Sequence, residues 1–448
     1  MNTIALPGMD TLILPDGFPQ VDAAPAEPPR VQRPDRAQHT LEACCLDERL
    51  PADHAARLVW RVVETLDLSA FYALLRARGS DPGRAAIDPQ ILTALWVYAA
   101  VDGVGNGRKL DRLCREHDAY RWLCGGVSVN YHTLNDFRVQ HEQAVDQLVT
   151  DVLTVLVARD VVKVDRITQD GKRIRAAAGT SSYHRRETLE KLREEARAYV
   201  EELKRQPDEA AGESARRRAA QRRAAREKQE RLDQAIALLP ELEAARQSTR
   251  NNKKDRAKPV RVSSTDPETR KMKMGAGGVR PAYNVQLGVD VVSGAIVGAD
   301  IGQSSDDSNY SGPMRAQVER RTGRPVKEHL ADEGYVDLKE IGQAETAGVA
   351  LYVPVPKNKA GEPVTSSRWD TPGTQQWRAR MLTPEAAVIY KQRFPASERV
   401  NAEVQERLGL RRFAVRGVAK VRCVTLWTVL AFNLVHFTAE LLAAAGAT

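Results

Sequence analysis

Three acidic residues sit where a chain can gather chemistry. Asp170 follows a β-branched run, VVKVDRIT (161–168), and precedes Gly171. Asp332 closes a second apolar run in HLADEGY, ahead of Gly334 and Tyr335, and Glu398 lies in a helical stretch, YKQRFPASERVNAEVQER (390–407). Carboxylates are hard oxygen donors suited to divalent cations, but a strand-end Asp also serves turns and caps. The residue types alone leave both readings open. Asp165 rivals Asp170, and Glu403 rivals Glu398. Asp290, Asp300, Asp306 and Asp307 read as strand or loop acids, with Asp290 able to reach the same site.

Other chemistries lack their residues. The eight histidines form no HExxH, and no GxxxxGK[ST] is present, so zinc hydrolysis and ATP-driven work are not indicated. Cys44, Cys45, Cys114, Cys124 and Cys423 form no CxxC and are odd in number. That argues against a disulfide framework or a cysteine zinc site and fits a reducing cytoplasm. The N-terminus carries prolines and acids where a signal peptide needs a basic start and an unbroken apolar stretch.

The elements that must position these acids follow from periodicity. With 448 residues, 42% hydrophobic and 28% charged, the chain suits two or three folded units and is neither wholly disordered nor collagen-like. Residues 1–40, rich in Pro and Ala, read as a disordered arm. Residues 41–160 read as an all-helical domain, with helices about 54–77, 88–102, 107–118 and 132–159. Asp88 is the N-cap of the second, Pro89 its first residue, and Gly103 follows its end. Residues 161–180 and 276–448 read as α/β. Tyr283, Val285, Leu287 and Val289 alternate with polar or small residues, and Ser293-Gly294 turns the chain into another β-branched run, a hairpin signal. Short strands are expected near 326–332 and 349–356, and helices at 307–322, 337–346 and from 383 onward. The uncharged stretch 423–439 is short for a bilayer and reads as a buried core helix.

Residues 181–275 interrupt that pattern. Leu189, Leu192, Ala196, Tyr199 and Leu203 make a short heptad seam, Pro207 and Gly212 break it, and a return helix runs through Leu232, Ile236 and Leu239. A basic helical hairpin is expected. Positions 214–261 hold 15 Lys or Arg against 6 Asp or Glu, a surplus of nine in a chain whose net charge is +8. The basic character is therefore local, and Arg216, Arg217, Arg218, Arg222, Arg223, Lys253 and Lys254 are candidates for phosphate contact.

Taken in order, these motifs resemble bacterial insertion-sequence transposases of the DDE type. The resemblance covers about residues 50–448. It rests on IDPQILTALWVYAAVDGVGNGRKLDRLCREH, NYHTLNDFR, QDGKRIRAAAG, DPETRKMKM, AYNVQLGVD, LADEGY, the Tyr390–Arg393–Glu398 run, and RRFAVRGVAKV with FNL. It implies an RNase H-like mixed sheet flanked by helices, interrupted by a helical-hairpin insert and preceded by an all-α domain. It places the family's catalytic, metal-binding acids on Asp170, Asp332 and Glu398, with Tyr390 and Arg393 in support. Two divalent ions, Mg²⁺ or Mn²⁺ in its place, are implied as cofactors, because carboxylates about 4 Å apart repel by roughly 4 kcal/mol at an effective dielectric near 20. The implied partner is double-stranded DNA, as element ends and target site, bound by a dimer or larger assembly, with no membrane and no nucleotide cofactor. Helices at Arg108–His117 and Thr133–His141 are the groove-reading candidates. The chain departs from the family at Gln405, where a Lys is usual, and at Asn401-Ala402, where Phe-Gly is usual. Arg407 or Arg412 is the candidate to replace that Lys. These departures support one alternative, a non-catalytic DNA-binding protein on the same fold; an RNase H-like nuclease without strand transfer is a further one.

Overall fold

The computed structural model describes residues 3–4, 12–13, 45–75, 85–205, 213–248 and 258–446. The chain divides into two compact units, Met1–Cys45 and Leu46–Thr448. In the first, Thr3–Ile4 (β1) pairs antiparallel with Leu12–Ile13 (β2). The rest of the arm read as disordered lies outside the described residues.

In the second unit the helical pattern of the N-terminal part is realised with more breaks than the periodicity suggests. The stretch 54–77 splits into Ala55–Glu64 and Ser69–Ala73, because Asp67 turns the chain and accepts from Ser69 N at 2.9 Å. The stretch 132–159 is broken at His141 into Tyr131–Gln140 and Glu142–Ala158. Helix Pro89–Val101 starts as its sequence dictates: Asp88 accepts from Gln90 N at 2.8 Å, and Gly103 follows in the left-handed region. Its side chains are buried at Pro89 and from Ile91 to Ala99, and Trp96 donates to Leu134 O at 2.9 Å.

What buries this helix is Val418–His436, which also packs on Glu142–Ala158, Tyr131–Gln140 and the sheet. The helical part and the sheet thus share one apolar core. Val418–His436 is long and apolar enough to cross a membrane, yet 72% of its apolar window is buried inside the protein, as a core helix requires.

The sheet is mixed. Its strands are Arg166–Arg175 (β3), Arg270–Lys273 (β6), Val279–Asp290 (β7), Ile296–Gly302 (β8), Glu328–Leu330 (β9) and Ala350–Tyr352 (β10), with Tyr183–His184 (β4) and Val262–Ser263 (β5) forming a separate ribbon at the base of the insert. The order is β10-β9-β3-β7, and β7 then pairs with both β6 and β8 along its far side. β3 runs parallel to β9 and antiparallel to β7, and β9 runs parallel to β10. The expected hairpin at Ser293-Gly294 is present, with Gly294 at φ 77°. The first strand lies later than its β-branched run suggests: it spans 166–175, not 161–168, so Asp170 is within the strand rather than after it. Residues 170–173 are only half-buried, which explains why a strand there is written in polar residues. A further helix, Pro372–Met381, has no clear signal in the sequence; Thr371 caps it and only one large apolar side chain, Trp377, enters the core from it.

Side chains close the outer strands. On β8, the Asn433 amide exchanges hydrogen bonds with Ile296 N and O (3.0 and 2.9 Å), and Gln317 does the same with Ala299 (2.7 and 3.1 Å). On β10, Leu351 N donates to Glu345 at 2.9 Å and Leu351 O accepts from Arg380 at 3.0 Å, these two side chains being ion-paired with each other.

The insert packs helix Arg186–Arg205 on Glu213–Ala237, followed by Leu239–Ser248. Leu189, Ala196 and Leu203 are buried in the seam, but Val200 takes the place expected for Tyr199. Tyr199 stays exposed, its hydroxyl accepting from Gln221 at 2.5 Å. Pro207 and Gly212 lie outside the described residues.

Candidate active site

Asp170 is presented from the middle of β3. Its neighbour Gly171 stands opposite Gln286 of β7, and alternation puts the Asp170 side chain on the other face of the sheet from that pair. Oδ1 accepts from Gly171 N at 3.1 Å and Oδ2 from Asn401 Nδ2 at 2.7 Å. Burial, then the charges of Asp332 and Glu398, push the Asp170 carboxyl up to about 6, against Arg393 and Lys172 pulling it down. The charges of the other two acids named from sequence, Asp332 and Glu398, are thus both felt at Asp170. Each of the three comes from a different element: the central strand, the exit of the parallel strand beside it, and a helix far along the chain.

Asp332 leaves β9 two residues after Leu330 and caps the short turn Glu333–Tyr335, accepting from Gly334 N at 2.8 Å. Only one of its oxygens makes the cap. Glu398 sits half-buried in helix Arg393–Glu406. Pro395 falls in the first turn of that helix, where a missing N–H removes no intrahelical bond. Arg393 lies 5.8 Å over the Tyr390 ring. Burial pushes the Tyr390 phenol up, Arg393 opposes this, and Asp332 and Glu333 add to it. Tyr390 thus feels the charge of Asp332, and Arg393 acts on Asp170.

The rival acids are engaged elsewhere. Asp165 pairs with Lys327 at 2.8 Å, and Glu403 receives Arg407 at 3.1 Å and His436 at 2.9 Å. Asp290 anchors the hairpin through Val164 N, Ser293 N and Ser293 Oγ (3.1, 2.8 and 2.6 Å). Asp300 pairs with Arg422 at 2.7 Å, and Asp306 accepts from Ser308 N at 3.1 Å.

Asp307 is more than a loop acid. Its Oδ1 accepts from Asn284 and Gln286, both at 2.6 Å, and the nearby charge of Asp332 helps burial push it up. Gln286 also accepts from the Tyr335 hydroxyl and from Gln169 at 2.8 Å. A buried polar network thus underlies β3 at Gly171, behind Asp170. Its signal in the sequence is faint: two amides two residues apart, on the polar and small-residue side of an alternating strand. Among the described residues, no three Asp, Glu, His or Cys side chains are grouped tightly enough to hold one ion.

The basic candidates lie on the insert. Arg217 and Arg223 are exposed, while Arg218 and Arg222 are half-buried and Arg222 Nε donates to Leu203 O at 3.1 Å. Arg218, Arg222, Arg223 and Arg226 line a groove of about 470 Å³ with Glu227 and Glu230 at one end. The Arg216 side chain, Lys253 and Lys254 lie outside the described residues.

Residues 44–140 match the family described as Transposase domain (DUF772), and residues 356–438 match the Transposase DDE domain. No curated protein and no solved structure matches the chain. Both matches are to transposase domains and together cover less than half of the chain. More narrowly, the two matches in this order support an insertion-sequence transposase of the DDE type, as the motifs suggest. Tyr390, Arg393 and Glu398 fall inside the second match; Asp170 and Asp332 fall between the two.

Proposed function

We propose that this protein binds the terminal inverted repeats of its own insertion element, cuts DNA there and joins the ends to a target. What supports the reading is that Asp170 on β3 feels the charges of both Asp332 and Glu398, which come from two other elements, and that Asn401 of the Glu398 helix donates to Asp170 at 2.7 Å. The strand order, with antiparallel β8-β7-β3 continued by parallel β9 and β10, is consistent with an RNase H-like fold.

Divalent ions fit this donor set, since all three ligands are hard oxygens and a bound cation reverses the burial and like-charge repulsion that Asp170 bears. Asp170, Asp332 and Glu398 would hold them by drawing closer than they stand, since no three such side chains among the described residues are grouped tightly enough now. Bound there, Mg²⁺ would activate the attacking oxygen and stabilise the leaving 3′-oxygen of a phosphodiester. The chain's own groups then have definite roles. Arg393, already within electrostatic reach of Asp170, offers a guanidinium to a phosphate oxygen, and Tyr390 holds that guanidinium over its ring. Asp332 keeps one oxygen on Gly334 N, which fixes the carboxylate's direction. The basic helix of the insert supplies backbone contacts along DNA, and the N-terminal helices read the repeats. Two ends must be joined, so a symmetric dimer or larger assembly on DNA is the working form, in the bacterial cytoplasm.

The test is to incubate full-length protein with the DNA flanking its own gene and Mg²⁺, then map cut and joined ends. Asp170→Asn and Asp332→Asn should each abolish cleavage while leaving DNA binding nearly intact. Cutting without joining would favour a nuclease; binding without cutting, in the wild type, would favour a non-catalytic DNA-binding protein, the reading that Gln405 supports.

A further inference from the structure

We infer that Asn401 is a positioning residue, whose amide fixes the Asp170 carboxylate against the helix that carries Glu398. The inference rests on the reading of these acids as the reaction centre.

Asn401 is 2% exposed, and its Nδ2 donates to Asp170 Oδ2 at 2.7 Å across 231 residues of sequence. The other oxygen, Oδ1, accepts from Gly171 N at 3.1 Å. With a donor on each oxygen, the carboxylate is held in one orientation. Asn401 follows Glu398 by three residues in the same helix, so both side chains leave one face. One hydrogen bond therefore sets the first acid relative to the third.

The helix does not need this bond to dock. Val400 and Val404 are buried in the core, and Gln392, just before the helix, accepts from Arg166 of β3 at 2.7 Å. What Asn401 adds is direction for Asp170. An amide suits this role because it donates without bringing charge, where a lysine would occupy the place of a cation and an aspartate would add a fourth repulsion. A partner that orients a metal-binding carboxylate changes metal affinity when it is removed.

The test uses full-length protein and Mn²⁺ as the probe, with free Mn²⁺ counted by electron paramagnetic resonance. Asp170→Asn identifies which bound Mn²⁺ belongs to the site. Asn401→Leu, similar in volume but without a donor, should weaken that binding by about 10–100-fold and raise the Mg²⁺ needed for half-maximal cleavage in step. Its affinity for element-end DNA should match the wild type. A folded Leu variant with wild-type Mn²⁺ affinity overturns the inference, whatever its activity. If that variant does not fold, Asn401→Gln is measured instead; its longer stem misplaces the donor, and wild-type Mn²⁺ affinity there overturns the inference equally. Wild-type protein that binds Mn²⁺ through Asp170 with this Asn401 dependence, but cuts no DNA, leaves the positioning role standing and removes the transposase reading. No Asp170-dependent Mn²⁺ binding at all overturns the positioning role.

Discussion

Gly171→Ala tests the arrangement behind Asp170 most directly. A methyl at this position would stand 2.5 Å from Gln286 Nε2, 2.6 Å from Asp307 Oδ1 and 2.9 Å from Asn284 Oδ1. None of these atoms belongs to a loose side chain. Both amides donate to Asp307 at 2.6 Å, and Gln286 is also tied to Gln169 and Tyr335. If the amides yield, two hydrogen bonds to a carboxylate are lost, each worth about 1.5–3 kcal/mol. If the strand yields instead, the cost is that of overpacking, about 1–3 kcal/mol. The second route is the cheaper, and it displaces β3 away from Asp307, carrying Asp170 with it. We therefore expect a stability loss of about 1–3 kcal/mol by urea unfolding followed through tryptophan fluorescence. Single-turnover cleavage should fall by up to about 100-fold, the scale of a 1 Å misplacement, under conditions where the variant is fully folded. Gly275→Ala is the control, because no atom lies within 4 Å of its added methyl. If the two alanine variants share one unfolding midpoint and one cleavage rate, the tight network beneath Asp170 is not what the reasoning requires.

Glu398→Gln should abolish cleavage, whereas Glu403→Gln, altering an acid held by Arg407 and His436, should cut DNA at near wild-type rate once stability is matched; the reverse order would move the third acid. Replacing Arg217 and Arg223 together with Ala should weaken DNA binding and reduce the slope of log K against log salt by about 1.8 for two lost phosphate contacts; an unchanged slope returns that face to solvent. Asn433→Leu strands the N–H and C=O of Ile296, which is fully buried, at about 1–3 kcal/mol each, so about 2–6 kcal/mol of stability should disappear in denaturant titration. A loss below about 1 kcal/mol would mean that water or a rearranged side chain satisfies the strand.

Where one face of an element meets the core, its residues announce it. The Asp88-Pro89 start and the Ser293-Gly294 turn stand where their local chemistry puts them. The site itself bends these rules. Asp170, Gly171, Lys172 and Arg173 look like a loop that ends β3 before the first acid; they are strand residues left polar by what they face. Alternation in β7 suggests Asn284 and Gln286 on a solvent side, but both are fully buried and hold Asp307. Nothing in a run such as SSDDSN distinguishes Asp307 from its neighbour Asp306, since only the fold supplies the two amides. Likewise, the exchange at Asn401 looks like a weakness of the Glu398 helix as long as its partner, 231 residues away, is out of view.

The amides and the ion pair that occupy the rims of the sheet have a consequence for how copies of this chain can meet. Asn433 and Gln317 mimic an extra strand along β8, and Glu345 with Arg380 does so at Leu351 of β10. Recruitment by adding one backbone to another is thereby discouraged at β8 and at β10. If two protomers assemble on DNA as proposed, those two strand edges would not join them; helices, loops and the nucleic acid held between them would, and the assembly would loosen when that nucleic acid is released.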